Sequence, residues 1–268
     1  MTTVDTATTT LTTTRRTASP GIPTRRVLST ELRKMFDTRS GFWLMASIGI
    51  AALLATTAVI LFAPDDQLTY GTFAAAFGVP MTVILPIVAM LSVTSEWSQR
   101  SGLTTFTLVP HRGRVIFAKA VVSVAVGVVS VMLALVVGVL GNLVGTAIAG
   151  VNTVWDLSAL DMLLIVLGNV LGLLVGFMLG VLIRSSAGAI VAYFVYSFVL
   201  PTLTGLLAAS QHWFRDLQPW VDFNYAVSAL FNGPLSAEQW GQLGVTSFCW
   251  LILPTALGVW LVMRAEVK

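Results

Sequence analysis

MLLIVLGNVLGLLVGFMLGVLI, residues 162–183, is a run of 22 residues without one charged side chain, and its reading decides the fold. About 20 mainly apolar residues in a helix cross the ~30 Å hydrocarbon core of a bilayer. A surface helix of a soluble protein would keep a polar face toward water; here Asn169 is the only strongly polar residue. Five other stretches read the same way: 41–63, 73–95, 115–149, 187–209 and 244–263. The chain as a whole is 56% hydrophobic and 10% charged over 268 residues. A soluble domain carries about 25% charged residues, so this chain is too poor in charge to cover a water-facing surface. The expectation is an all-α polytopic membrane protein with six transmembrane helices. Residues 115–149 are too few for two spans and a turn. They form either one helix that overhangs the bilayer, or a helix that ends near Gly141 and continues irregularly.

Orientation follows from Lys and Arg near the span ends, which favour the cytoplasmic side. With the N-terminus inside, fourteen of the fifteen basic residues fall on the cytoplasmic side, all but Arg215. Asp65, Asp66, Asp156, Asp161, Asp216, Asp222 and Glu238 fall outside. Both termini are then cytoplasmic, in a bacterial inner membrane. The net charge of +3 becomes a topology signal that calls for no nucleic acid. Trp43, Trp97 and Trp260 sit near inner boundaries and Trp155, Trp213, Trp220 and Trp240 near outer ones, as aromatic belts do. Trp250 alone lies well inside a span.

Residues 1–24 are rich in Thr and lack the apolar core of a cleaved signal peptide, so they read as a disordered cytoplasmic tail. Residues 25–268 form a single membrane domain. Its first segment, 25–39, is basic and amphipathic, with Val27, Leu28, Leu32, Met35 and Phe36 at helical spacing. Such a helix beside a membrane anchor is expected to lie in the interface. About 34 residues join the fifth and sixth spans and carry Trp213, Trp220, Phe223, Tyr225, Phe231 and Trp240. That is too apolar for a free loop, and short amphipathic helices on or dipping into the outer leaflet satisfy it.

Within the fourth span, Gly168, Gly172, Gly176 and Gly180 recur every four residues, a small-residue face that permits close helix packing. The neighbour it meets is left open. Pro80 and Pro86 are expected to bend the second span and Pro254 the sixth. Asn169 reads as an interhelical hydrogen-bonding residue. No Asp, Glu, Lys or Arg lies near the middle of a span, which disfavours an ion-coupled carrier. His111, His212 and the single Cys249 form no metal-ligand pattern, and neither a nucleophile elbow nor a phosphate-binding loop is present. The chain is therefore expected to bind no cofactor and to be no enzyme by itself.

The connection between the second and third spans is SEWSQRSGLTTFTLVPHRGR, residues 95–114. Glu96 and Arg100 are spaced for a helical ion pair, and Pro110 stops the helix. Leu103, Phe106 and Leu108 give it a partly apolar surface suited to docking on a partner. Together with the six spans, the amphipathic first helix and the outer aromatic stretch, this segment resembles the type-2 ATP-binding-cassette exporter permeases of bacterial drug, antibiotic and lipid exporters. The match runs from Glu96 through Pro110 to Arg112, Arg114 and Lys119; Ser101 and Leu103 around Gly102 depart from the family's commoner basic-Gly-Thr turn.

The resemblance implies a permease that dimerises, with itself or with a paralogue, and pairs with two copies of a separate ATPase holding ATP and Mg. Glu96, Trp97, Arg100, Gly102, Leu103, Phe106, Pro110 and Arg112 would belong to the coupling segment. Residues 25–40, with Leu28, Glu31, Leu32, Lys34, Phe36 and Arg39, would form the connecting helix. An amphiphilic substrate would be moved outward. A non-transporting scaffold or sensor subunit is the alternative, and a copurifying ATPase separates the two.

Overall fold

Each apolar run folds into one helix in the computed structural model, which describes residues 23–37, 39–98 and 112–264. Among them the helices are α1 (Thr24–Asp37), α2 (Arg39–Phe62), α3 (Tyr70–Ser98), α4 (Arg112–Ala149), α5 (Ala159–Ile183), α6 (Ser186–Ser210), α7 (His212–Val221), α8 (Phe223–Ser228) and α9 (Ala237–Arg264). Six of these, α2 to α6 and α9, are long and apolar enough to cross a membrane. The described residues contain no strand, only an isolated bridge between Thr69 and Val154. The all-α, six-span expectation holds.

Helix ends move from their expected places where caps act. Ser158 and Asp161 form a capping box that starts α5 at Ala159, and Ser236 with Gln239 starts α9 at Ala237, seven residues before the apolar run. Thr24 belongs to α1, which corrects the tail boundary at 24; the rest of the tail lies outside the described residues. Arg39 opens α2 and is not part of the first amphipathic helix, which ends at Asp37. α4 is a single helix of 38 residues, about 57 Å long. Gly141 does not end it. A β-carbon there would run into Thr56 of α2 and lie 2.9 Å from the Phe73 ring of α3, so this glycine is a contact point between three helices.

The core is built around α3, which packs on α5, α2 and α4. Its Phe73, Phe77, Met81, Leu85, Met90 and Val93 are fully buried. α9 packs on α5 and α4, and α1 lies against α2 and α4. α3 remains α-helical through Pro80 and Pro86. In α6 and α9, by contrast, a π turn (Val195–Val199 and Phe248–Ile252) directly precedes Leu200-Pro201 and Leu253-Pro254. Proline lacks an N–H and its ring crowds the carbonyl four residues back. Those carbonyls belong to Ser197 and Trp250, each inside the π turn, so the widened turn accommodates the ring.

Successive spans alternate in direction, giving the bundle two ends. Arg114, Lys119, Arg184 and Arg264 lie toward the end that carries α1. Asp65, Asp66, Asp156, Asp161, Asp216 and Glu238 lie toward the other. At that acidic end the two short linkers are tied together. Tyr70 N–H donates to Val154 O at 3.2 Å, Gly71 N–H to Asp156 Oδ1 at 2.7 Å, and Asn142 Nδ2 to Val154 O at 2.9 Å.

Candidate functional site

α1 is held to the bundle by charge as much as by apolar contact. Val27 and Glu31 are its two buried residues, while Leu32 and Phe36 are 42% and 47% exposed. Lys119 Nζ, two turns into α4, donates to Glu31 Oε2 at 2.5 Å and to the Ser92 carbonyl of α3 at 2.8 Å. Lys34 Nζ donates to the other oxygen, Glu31 Oε1, at 2.7 Å. The Glu31 and Lys119 side chains are only 6% and 4% exposed, whereas Lys34 is 43% exposed. A charge at such a place costs free energy unless a partner and hydrogen bonds meet it, and here both are present. The result is a three-helix junction: α1 through Glu31, α4 through Lys119, α3 through the Ser92 carbonyl.

Neighbouring hydroxyls extend it. Ser92 Oγ lies 3.2 Å from Ser123 Oγ of α4, and Thr94 Oγ1 lies 2.7 Å from Ser186 Oγ at the start of α6. Arg114 donates to Thr24 Oγ1 at 2.8 Å, pinning the start of α1 to α4. Leu28 is half-buried on α1, and Arg39 is exposed at the start of α2.

The sequence-based coupling residues are placed only in part. Glu96 and Trp97 lie in the last turn of α3, and Trp97 packs against the main apolar core. Arg112 opens α4. Arg100, Gly102, Leu103, Phe106 and Pro110 lie outside the described residues, as do the side chains of Glu96 and Arg112. Both described borders of this connection converge on the junction: Ser92 precedes Glu96 by one turn, and Lys119 follows Arg112 by two.

Glycine spacing is used within the chain. A β-carbon at Gly176 would collide with the Pro86 carbonyl and lie 2.7 Å from Pro86 Cα; at Gly180 it would lie 3.2 Å from Met90 Cα. Gly168 accommodates the Phe231 ring, and Gly172 faces open space. Three of the four therefore seat α5 against α3 and the segment after α8, which answers which neighbour the stripe meets. Asn169, expected to bond between helices, instead donates to Ile165 O of its own helix at 2.8 Å.

No family model matches this chain, and no curated protein matches its sequence. The remaining polar cluster lies toward the acidic end, where α7 and α8 form a hairpin that enters the bundle. Asn224 Nδ2 bonds Tyr196 O at 3.2 Å, fourteen residues before the end of α6, or about 21 Å along that helix. Trp250 Nε1, the indole well inside the sixth span, donates to Val221 O at 2.7 Å. The short helices expected between the fifth and sixth spans thus dip inward and do not lie flat.

Asp222, between α7 and α8, is 4% exposed, not external as its position in the sequence suggested. Thr204 Oγ1 and Gln218 Nε2 donate to its Oδ2 at 2.7 and 3.3 Å, and Tyr225 N–H donates to its Oδ1 at 3.2 Å, capping α8. Asp222→Ala removes that cap and leaves Gln218 without its acceptor, an expected loss of about 1–2 kcal/mol. Hydrogen exchange is expected to rise across residues 212–231 and stay unchanged in α1 to α3; Asp222→Asn, which keeps an acceptor, is expected to show a smaller rise.

The sequence reading missed the Glu31–Lys119 pair, although a signal existed. Lys119 is the one charge inside the third apolar run, and such a residue calls for a partner.

Proposed function

We propose that this chain is the permease subunit of an ATP-binding-cassette exporter, working with two copies of a separate ATPase and a second permease, itself or a paralogue. Its cargo is amphiphilic: a drug, an antibiotic or a lipid-like molecule. The chain sits in the bacterial cytoplasmic membrane with both termini inside, a placement supported by the segregation of basic and acidic residues to opposite ends of the bundle. ATP and Mg bind the partner; this chain supplies no catalytic group.

The observation that carries this reading is the junction of Glu31, Lys119 and the Ser92 carbonyl. A machine driven by a soluble ATPase needs the force to enter through segments outside the membrane and to reach the spans without loss. Here α1 and both helices flanking residues 99–111 are joined by one buried ion pair and its hydrogen bonds. A push on the α3–α4 connection or on α1 is delivered to α3 and α4 together, and α3 is the helix on which the core is built. ATP binding then favours one of two arrangements of the permease pair through its differential affinity for them. Such a device needs no ion-binding carboxylate in mid-membrane, and the spans carry none there.

The experiment is transport and hydrolysis measured together on the reconstituted complex. Glu96→Ala is expected to leave membrane insertion intact and ATP hydrolysis running while export falls by roughly tenfold, the effect of losing about 1.4 kcal/mol of coupling. Normal export together with normal substrate-stimulated hydrolysis in that variant removes Glu96 from the mechanism.

A further inference from the structure

An apolar groove of about 510 Å³ lies between α2 and α4 beneath α1. That is within the roughly 300–1,000 Å³ range of pockets that hold small ligands. Leu32 and Phe36 of α1 roof it, Gly49 and Ala52 of α2 form one wall, and Ala125 and Leu133 of α4 belong to the other. Small residues make the space: a β-carbon built at Gly49 meets nothing within 4 Å. On α4 the lining runs from Ala125 to Val137, twelve steps or about 18 Å. The groove therefore starts just past the Glu31–Lys119 junction and descends along two helices that are apolar enough to span a membrane. Its rim is open, with Val129 57% and Leu133 61% exposed.

Charge at the two ends of this groove is unequal. Arg25 precedes Leu32 by seven residues, two turns, and so shares its flank of α1. Arg33 adjoins that flank, and Arg39 opens α2 three residues after Phe36; all three arginines are exposed. The acids of α1 offset only part of this charge. Glu31 is turned inward onto Lys119 and Lys34, and exposed Asp37, one turn after Arg33, opposes one of the three arginines. The other end of the groove is lined by apolar side chains of α4. A slot that is cationic at one end, apolar along its length and open at the side matches one kind of molecule.

We propose that the groove holds one acyl chain of an anionic phospholipid, whose headgroup lies at the α1 end in the field of its exposed arginines. The lipid fills the space under α1 and stabilises the helix that Glu31 anchors. This site is independent of any ATPase, so its failure leaves the exporter reading untouched, and the reverse.

The test reconstitutes the full chain in bilayer discs of phosphatidylcholine containing phosphatidylglycerol and weighs it intact after transfer to mild detergent. One phosphatidylglycerol per chain is expected to remain, favoured over phosphatidylcholine by roughly thirtyfold, the effect of two interfacial arginines on an anionic headgroup. Gly49→Trp fills the groove and is expected to abolish retention of either lipid. Arg25→Gln combined with Arg33→Gln is expected to keep one lipid and lose the preference. These two positions are exposed and carry no packing, so their result stands even where Gly49→Trp fails to fold. Retention without headgroup preference in the unaltered chain overturns the proposal. So does a preference that survives the arginine changes, or a photoreactive group at Leu133 that captures a second copy of the chain in place of lipid.

Discussion

Lys119→Ala is expected to destabilise the protein by about 3–5 kcal/mol, because it leaves the buried Glu31 carboxylate with only the part-exposed Lys34 ammonium to meet it. Glu31 is held 2.5 Å from Lys119 in a site where both side chains are less than a tenth exposed. Removing the lysine also frees the Ser92 carbonyl, so all three links of the junction are lost in one change. Lys34→Ala is the contrast. Its ammonium touches the same carboxylate but is 43% exposed, and partly solvated pairs are worth about 0–1 kcal/mol. Replacing both members of the buried pair, Glu31→Met with Lys119→Met, is expected to recover much of the loss, since apolar groups leave no stranded charge. Measured as apparent melting temperature in one detergent, Lys119→Ala falls on the order of 10 °C and Lys34→Ala by a few degrees at most. Equal losses in the two single variants would mean that the Glu31–Lys119 contact does not hold α1.

The second large effect is at Gly176. Alanine in a helix interior ordinarily gains up to about 1 kcal/mol over glycine. At Gly176 that gain is outweighed, because the added carbon meets the Pro86 backbone, and a proline inside a helix has little freedom to withdraw. Overpacking of this kind costs about 1–3 kcal/mol, and Gly176→Leu is expected to prevent assembly of α5 on α3 altogether. Gly172, one turn earlier on the same stripe, faces open space. Gly172→Ala is therefore expected to be neutral or to stabilise by up to about 1 kcal/mol. Matched melting curves of the two alanine variants separate the explanations: a difference assigns the stripe to contacts within one chain, and equal behaviour denies that α5 closes on Pro86.

How much of this was legible in the sequence depends on the range of each interaction. Spans are local: twenty apolar residues suffice, and the extensions before α5 and α9, of one turn and two, begin at the capping residues Ser158 and Ser236. The glycine stripe was equally local, but its partner was not, since Pro86 lies 90 residues before Gly176. Glu31 shows the limit most clearly. On a helical wheel it lies inside the apolar stripe, four residues from both Val27 and Met35, a place that suggests burial but names no partner on another helix. That partner is Lys119, 88 residues away. Asp222 failed the same way, because its depth depends on how α7 and α8 fold back against Thr204, Tyr196 and Trp250. The π turns had a partial signal in Pro201 and Pro254. Proline shows that a helix must yield there; whether it bends or widens is settled by the packing around it.

The most direct measurement is affinity purification of the tagged chain from bacterial membranes in mild detergent, with mass analysis of everything recovered. A soluble ATPase carrying a phosphate-binding glycine-rich loop is expected at one copy per permease, and Lys119→Ala, by freeing α1, is expected to reduce its recovery. A chain that comes out alone, or only with itself, under conditions that keep other membrane complexes whole contradicts the exporter reading and favours a scaffold that transports nothing.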